Sequence, residues 1–250
     1  MVQTIDLNGN KPDSGASPAG CPGEATADRL VAAATELFVE QGYNAVSTRA
    51  LARAAGVNLS AITYHFGGKK GLYQAAIQRV LDHIAPIRNK VFADLARALD
   101  AAGDDPAALA LLVTEFVGNM VRAQLNQDLG AAGFQLLIRE TQNPNGDLKI
   151  VMDQHFALVE QGVASLVAKA TGRSMDDLNT RIMALVILGQ SSFFITGRLI
   201  ALNLMDWQEY SAENIEKLAS AIAPAIVAML GLPAVENIAG RPEDGDGKRG

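Results

Sequence analysis

Alternating runs of β-branched and aromatic residues are almost missing between residues 24 and 232. Ala, Leu, Glu, Gln and Arg recur there instead, and Gly, Pro and Asn fall at widely spaced breaks. Residues that alternate apolar and polar make strands, whereas these are helix formers. The chain is therefore predicted to be all-α. The breaks divide it into about nine helices, most of them opened or closed by a residue that suits the free backbone groups of a helix end. The expected spans start with 25–41, ended by Gly42. Next come 48–55, capped by Ser47 and ended by Gly56, and 59–65, capped by Asn58 and broken by Gly67 and Gly68. A long helix over 69–102 has Pro86 as its place to bend, and 105–127 is opened by Asp105 and Pro106. Then follow 129–141, 147–171 closed by Gly172, 175–204 capped by Ser174, and 212–230 opened by Ser211 and ended by Gly231.

With 250 residues, 49% of them hydrophobic, the chain has ample material for a core. Residues 1–23 and 233–250, rich in Gly, Pro, Ser, Asn and Asp, read as a disordered arm and tail. Cys21 stands alone and allows no internal disulfide or cysteine-based zinc site. The first fifteen residues lack the basic and apolar regions of a secretory leader, and the expected location is the cytoplasm. Residues 184–204 are apolar for long enough to suggest a membrane span. Gln190, Ser191, Ser192 and Arg198 interrupt them, and no basic flank anchors them, so a buried bundle helix and no membrane partner are expected.

The net charge of −6 hides an asymmetry. Residues 24–80 carry six Lys and Arg against four acids, while 81–250 carry 14 basic and 21 acidic residues. A slightly basic front on an acidic body permits nucleic-acid binding without requiring it. The informative stretch is Ser47–Leu72, STRALARAAGVNLSAITYHFGGKKGL. It reads as two short helices joined by Gly56, Val57 and Asn58, with Leu51, Ala52 and Ala55 facing Ile62 and Phe66. That is helix-turn-helix spacing, in which the second helix can enter a major groove about 12 Å wide. Ordinary helix pairs share the pattern, so spacing alone leaves DNA binding open.

The segment resembles the DNA-binding domain of TetR-family transcriptional regulators. The likeness rests on AAATELFVEQGYNAVS (32–47), Leu51-Ala52, Ala55-Gly56-Val57-Asn58, Ile62, Tyr64-His65-Phe66, Lys69 and Leu72. ITYHFGGKKGLY and the later GQSSFFITGR look like the CecR-type subgroup. Many members carry a tyrosine where Thr63 stands, whereas here it is Tyr64. The division of base and phosphate contacts between these two therefore stays open. Taken with the resemblance, Thr48 and Arg49 at a helix N-terminus suit a phosphate. Asn58, Leu59, Ser60 and Thr63 open or project from the recognition helix, Tyr64 and His65 can donate to phosphate oxygens, and Lys69 is a phosphate counter-charge. Arg53 reads equally well as a solvated surface charge.

The resemblance implies a domain at 24–70 that reads double-stranded operator DNA, and a helical bundle at 71–232 that binds a small effector and dimerises. The body shows no catalytic motif, no metal-ligand spacing and no cofactor signature, so no enzyme activity, metal or cofactor is expected. Candidate effector contacts are the large side chains Phe116, Met120, Phe134 and Phe194, with Gln135, Arg139, His155 and Gln190 as polar groups among them. The last two long helices carry apolar stripes. One is Leu178, Ile182, Leu185, Gly189, Ser192 and Thr196; the other is Ile215, Leu218, Ile222, Ile226 and Met229. Either set could pack at home or pair across a two-fold axis to make a homodimer. The expected function is a ligand-responsive regulator, a repressor released from a palindromic operator by a largely apolar effector. The competing reading is a helical small-molecule-binding protein or enzyme with a vestigial DNA module.

Overall fold

The computed structural model describes residues 22–125, 129–141 and 148–235, and every regular element among them is helical. In order these are α1 (Pro22–Ala45), α2 (Thr48–Ala54), α3 (Ser60–Phe66), α4 (Lys69–Ala102), α5 (Pro106–Leu125) and α6 (Leu129–Thr141). Then α7 (Leu148–Val151) passes through a π-turn (Met152–Phe156) into α8 (Ala157–Thr171), followed by α9 (Leu178–Thr196), α10 (Arg198–Leu204) and α11 (Ala212–Met229). Most of the expected arm and tail, residues 1–21 and 236–250, lies outside the described residues.

Several helix ends follow capping chemistry as expected. Ser47 Oγ accepts the Ala50 amide at 3.1 Å, Asn58 Oδ1 the Ser60 amide at 3.1 Å, and Ser211 Oγ the Asn214 amide at 3.2 Å. Asp105 Oδ1 takes the Ala107 amide at 2.9 Å.

Four expectations need correction. First, α1 begins at Pro22, inside the stretch assigned to the arm. Second, Ser174 does not cap the long eighth helix. That helix starts at Leu178, where the Asp177 carboxylate accepts from the amides of Asn179 (2.7 Å) and Thr180 (3.4 Å). A carboxylate also complements the positive end of the helix dipole, an advantage serine lacks. Third, that helix breaks at Gly197 into α9 and α10. The Tyr210 hydroxyl donates to the Phe194 carbonyl at 2.9 Å, the acceptor that an unbroken helix would offer to the amide of residue 198. Fourth, the seventh helix contains the π-turn. The described residues thus form ten rods rather than nine.

Two apolar cores hold the rods together. The first takes Leu30 and Phe38 of α1, Leu51 of α2, Ile62 of α3, Leu72 and Leu81 of α4, and also Leu136 and Leu137 of α6 and Val151 of α7. The second joins the far part of α4 to α5, α8, α9 and α11 through side chains such as Val113, Leu166, Ile187 and Ile226. Each fully buried Leu, Ile or Phe contributes about 1.5–3 kcal/mol. Helix α4 runs through both cores, and α6 packs into the first, so the front of the molecule is mechanically continuous with the body.

Helices α5 and α9 are each long and apolar enough to cross a membrane by length and composition. Their surroundings differ. Helix α5 packs its apolar side against α11, with Val113, Val117 and Val121 fully buried. Helix α9 is not the buried bundle helix expected. Leu178 is 70% exposed, and Ile182, Leu185, Val186 and Phe193 are exposed beside it. The apolar stripe of α11, by contrast, is spent within its own chain, with Ile215, Leu218, Ile222 and Ile226 buried in the second core.

The joint between α3 and α4 depends on one residue. A Cβ on Gly71 would stand 1.9 Å from the Phe66 carbonyl oxygen. Backbone cannot yield there as a side-chain tip would, so Gly71→Ala is expected to destabilise the chain by about 2 kcal/mol. Gly23→Ala, whose Cβ would meet only His65 Cε1 at 3.8 Å, is the control and is expected to be neutral. Chemical denaturation of both variants checks this, and equal midpoints would contradict it.

Candidate nucleic-acid interface and effector site

Helix α2 ends in a reciprocal pair of hydrogen bonds. The Val57 amide donates to the Ala52 carbonyl at 3.0 Å and the Gly56 amide to the Arg53 carbonyl at 3.1 Å. This closure requires a left-handed residue, and Gly56 supplies it at φ 64°. The chain reverses within three residues and Asn58 starts α3 at once. Leu51, Ala52, Ala55 and Ile62 are buried between the two helices and α1, with Phe66 partly buried against them.

Fixing Ile62 inward leaves the opposite face of α3 bare. Ser60 and Thr63 are exposed, Leu59 is exposed, and Tyr64 is 84% exposed. A tyrosine held this far into solvent buries little of its ring within the chain. Its ring stands edge-on to His65 at 4.9 Å, and His65 is half-buried. At the start of α2, Thr48 is half-buried and Arg49 exposed. Asn58 is exposed, but its side chain is already engaged by the amide and hydroxyl of Ser60. Lys69 is steered rather than free, with Nζ 4.3 Å from the centroid of the Tyr43 ring. Partial burial lowers its pKa from the usual lysine value. Tyr43 in turn packs on Phe38 and Tyr73, which fixes this cation to the frame of α1 and α4.

The candidate effector contacts do not form one group. Phe116, Met120 and Phe194 pack against the second core. Phe134 belongs elsewhere, 5.9 Å from the His155 ring and 6.3 Å from that of Phe156. Gln135 is half-buried nearby on α6. Gln190 is exposed on α9. Arg139 is exposed and donates to the Val39 carbonyl at 2.7 Å, so it ties α6 to α1. Its neighbour Glu140 is buried and accepts the Tyr73 hydroxyl at 2.7 Å, which ties α6 to α4. Burial and this carboxylate push the Tyr73 pKa up. The buried His155 is pushed down to about 4, first by burial and then by the charge of Arg88, so it is neutral at pH 7.

Three features were missed in the sequence. The first is a groove of about 330 Å³ between α1, α4 and α6, floored by Val39, Val80 and Ile84. Glu36 and Glu40 rim one side, and Arg79 and His83 the other. At i and i+4 such pairs look like ordinary solvated faces, and only the packing brings them across from one another. The second is the Tyr73–Glu140 contact, which spans 67 positions and leaves no local signal. The third is the burial of Arg88, which is only 9% exposed. Among the described residues no group of three or more His, Cys, Asp or Glu is placed to hold a metal ion.

Comparison with known proteins fits this geometry. Residues 30–76 match the model for bacterial regulatory proteins of the tetR family. Residues 110–232 match the model for the C-terminal domain of the HTH-type transcriptional dual regulator CecR. The CecR of Shigella flexneri is 29% identical over 194 residues, 78% of this chain and 86% of that protein. A transcriptional regulator from Rhodococcus sp. Rha1 superposes with a TM-score of 0.53 at 19% identity, over 81% of this chain and 96% of the other. SmeT in its triclosan complex gives 0.53 at 14% identity, over 82% and 91%. These two structural likenesses establish the fold.

Proposed function

This chain belongs to the TetR family of bacterial transcriptional regulators, and on that premise we propose that it is a cytoplasmic dimeric repressor, released from a near-palindromic operator by a small, largely apolar effector. The observation that carries the reading is the bare face of α3. Leu59, Ser60, Thr63 and Tyr64 project from a helix whose other side is locked by Ile62. Two copies would place their α3 helices in successive major grooves about 35 Å apart. Thr63 and Ser60 would read base edges, while Arg49, Tyr64, His65, Lys69 and the α2 N-terminus with Thr48 hold phosphates.

Release works by population shift. An effector that binds better to one α3 spacing than to the other moves the dimer towards the spacing it prefers. Helix α4 is the lever, since it starts at Lys69 beside the DNA face and ends in the second core. The α6 ties to Val39 and Tyr73 carry movement of the body into the same frame.

A mobility-shift assay on the DNA flanking the chain's own coding region tests this. Salt-sensitive retardation of specific fragments is expected, and its absence with folded protein would refute the proposal. Lys69→Ala is expected to weaken binding to every fragment and to reduce the salt slope by about one unit. Thr63→Ala is expected instead to relax preference at one operator position, at a cost of about 1–3 kcal/mol. If both variants lose affinity uniformly, the assignment of phosphate and base contacts is wrong.

A further inference from the structure

Arg88, midway along α4, is a buried cation. It is 9% exposed, yet its guanidinium pairs with no carboxylate among the described residues. Nη1 donates to the Gln154 carbonyl in the π-turn. Nε and Nη2 converge on a single neutral oxygen, Asn89 Oδ1, at 3.2 and 3.0 Å. Two parallel donors sharing one amide oxygen is a poor match for a fork shaped to hold two oxygens. Burying such a charge is costly without a counter-charge. Asn89 is exposed and follows Arg88 directly in sequence, so it can swing away without disturbing the core.

A second unsatisfied group lies alongside. His155, also in the π-turn, is 5% exposed, and its Nδ1 is buried without a hydrogen-bond partner. Aromatic rings flank it, Phe156 at 5.2 Å and Phe134 at 5.9 Å. A π-turn inside a helix is itself often found at ligand sites. One uncompensated cation, one orphan ring nitrogen and two aromatic walls thus meet where α4, α6 and the π-turn come together.

We propose that this cluster seats the head group of the effector, and that the head group is an anion, a carboxylate on an apolar body. Its two oxygens replace Asn89 Oδ1 on the Nε–Nη2 fork of Arg88, the neutral His155 donates from Nδ1, and Phe134 and Phe156 pack the adjoining apolar segment. The inference rests on the reading of the chain as a ligand-responsive regulator and adds the chemical class of the ligand. It also gives the lever a handle, because an anion drawing Arg88 towards the π-turn acts directly on α4.

Thermal melting of the full chain with matched acids and amides tests it. The pairs are benzoate and benzamide, octanoate and octanamide, and laurate and lauramide. At least one acid is expected to raise the melting temperature by about 5 °C when well above its dissociation constant, with its amide inert. Arg88→Met should abolish that rise. The unliganded variant should melt at or above the wild type, because an unpaired buried charge has been removed. Asn89→Ala should keep the response. No acid-over-amide preference in any pair, or an acid response that survives Arg88→Met, would overturn the proposal. So would an unliganded Arg88→Met that melts well below wild type, since Arg88 would then be a clamp on the π-turn. A mobility-shift assay on the same samples separates the two claims. Specific DNA binding without acid preference refutes the head-group seat alone. Acid preference without any DNA binding refutes the regulator reading and leaves the seat standing.

Discussion

Leu185→Glu is expected to give a well-folded monomer that has lost about a hundredfold or more of its affinity for DNA. Leu185 is 59% exposed on α9 and adds little to its own core, so the change should leave the melting of the subunit almost untouched. It lies in a run of bare apolar side chains that includes Leu178, Ile182, Val186 and Phe193 and continues on α10 with Leu199, Ile200 and Leu204. Such a run of large bare apolar side chains is more than the scattered exposed residues usual on a monomer, and it is the kind of surface a partner covers. The outward side of α11 is small-residued, with Ala221, Pro224, Ala225 and Ala228 exposed, which lets a second helix pair approach closely. A glutamate at 185 would put a charge in place of an apolar contact in each copy, and taking that charge out of water is costly even with Arg181 one turn away. Linking two DNA readers makes the second contact intramolecular, so losing the link removes far more affinity than losing a single side-chain contact. Sedimentation velocity and mobility shift on the same sample measure both effects. A Leu185→Glu protein that remains dimeric would move the interface off α9.

Much of this architecture is legible in local chemistry. A cap, a left-handed glycine or a proline acts on the residues beside it, so Ser47, Asn58, Asp105 and Ser211 mark their helices without tertiary help. Where the reading went astray, a distant partner was deciding. Tyr210 takes the carbonyl of Phe194, sixteen residues before it in the chain, and the helix breaks at Gly197. Asp177 outcompetes Ser174 because a charge at the helix start adds to its hydrogen bonds. The apolar length of 184–204 is real, but composition cannot say whether such a face is buried at home or left open. The answer depended on α11 spending its own stripe on α5.

The two halves of the site differ in the same way. The DNA face is contiguous in sequence, and placing Ile62 and Ala55 inward dictates that Ser60, Thr63 and Tyr64 point out. The proposed effector seat is assembled from three separate segments. Arg88 sits 66 positions from the carbonyl it holds, and nothing around it in the chain marks it as buried. Arg139 reads in the sequence as a polar group among apolar neighbours, yet its guanidinium lies outside, on the Val39 carbonyl. Periodicity reports which face of a helix is apolar, but not which long side chain folds back over it.

Acid should destabilise the chain through His155 by up to about 3 kcal/mol. Burial and the nearby charge of Arg88 hold the folded pKa at about 4, against an unfolded value of 6.5. The folded pKa is the depressed one, so the unfolded chain takes up the proton first as pH falls. The contribution of a neutral buried imidazole is therefore fully present above about pH 6.5, declines below it, and levels off near pH 4. In the His155→Leu variant no proton can bind at this position, and His65 and His83 remain in both proteins and cancel in the difference. The gap in unfolding free energy between wild type and variant should thus shift in favour of the variant by about 2–3 kcal/mol between pH 7.5 and 4.5. Denaturant titrations at four or five pH values measure it, and a gap that stays constant over that range would show the imidazole to be solvated. An anion on Arg88 would cancel the local positive charge and would accept from His155. With a bound carboxylate the folded-state pKa rises towards the ordinary value, and the same acid-dependent loss shrinks. The pH dependence of stability, taken with and without an apolar acid, therefore reads the occupancy of the site from the protein's own histidine.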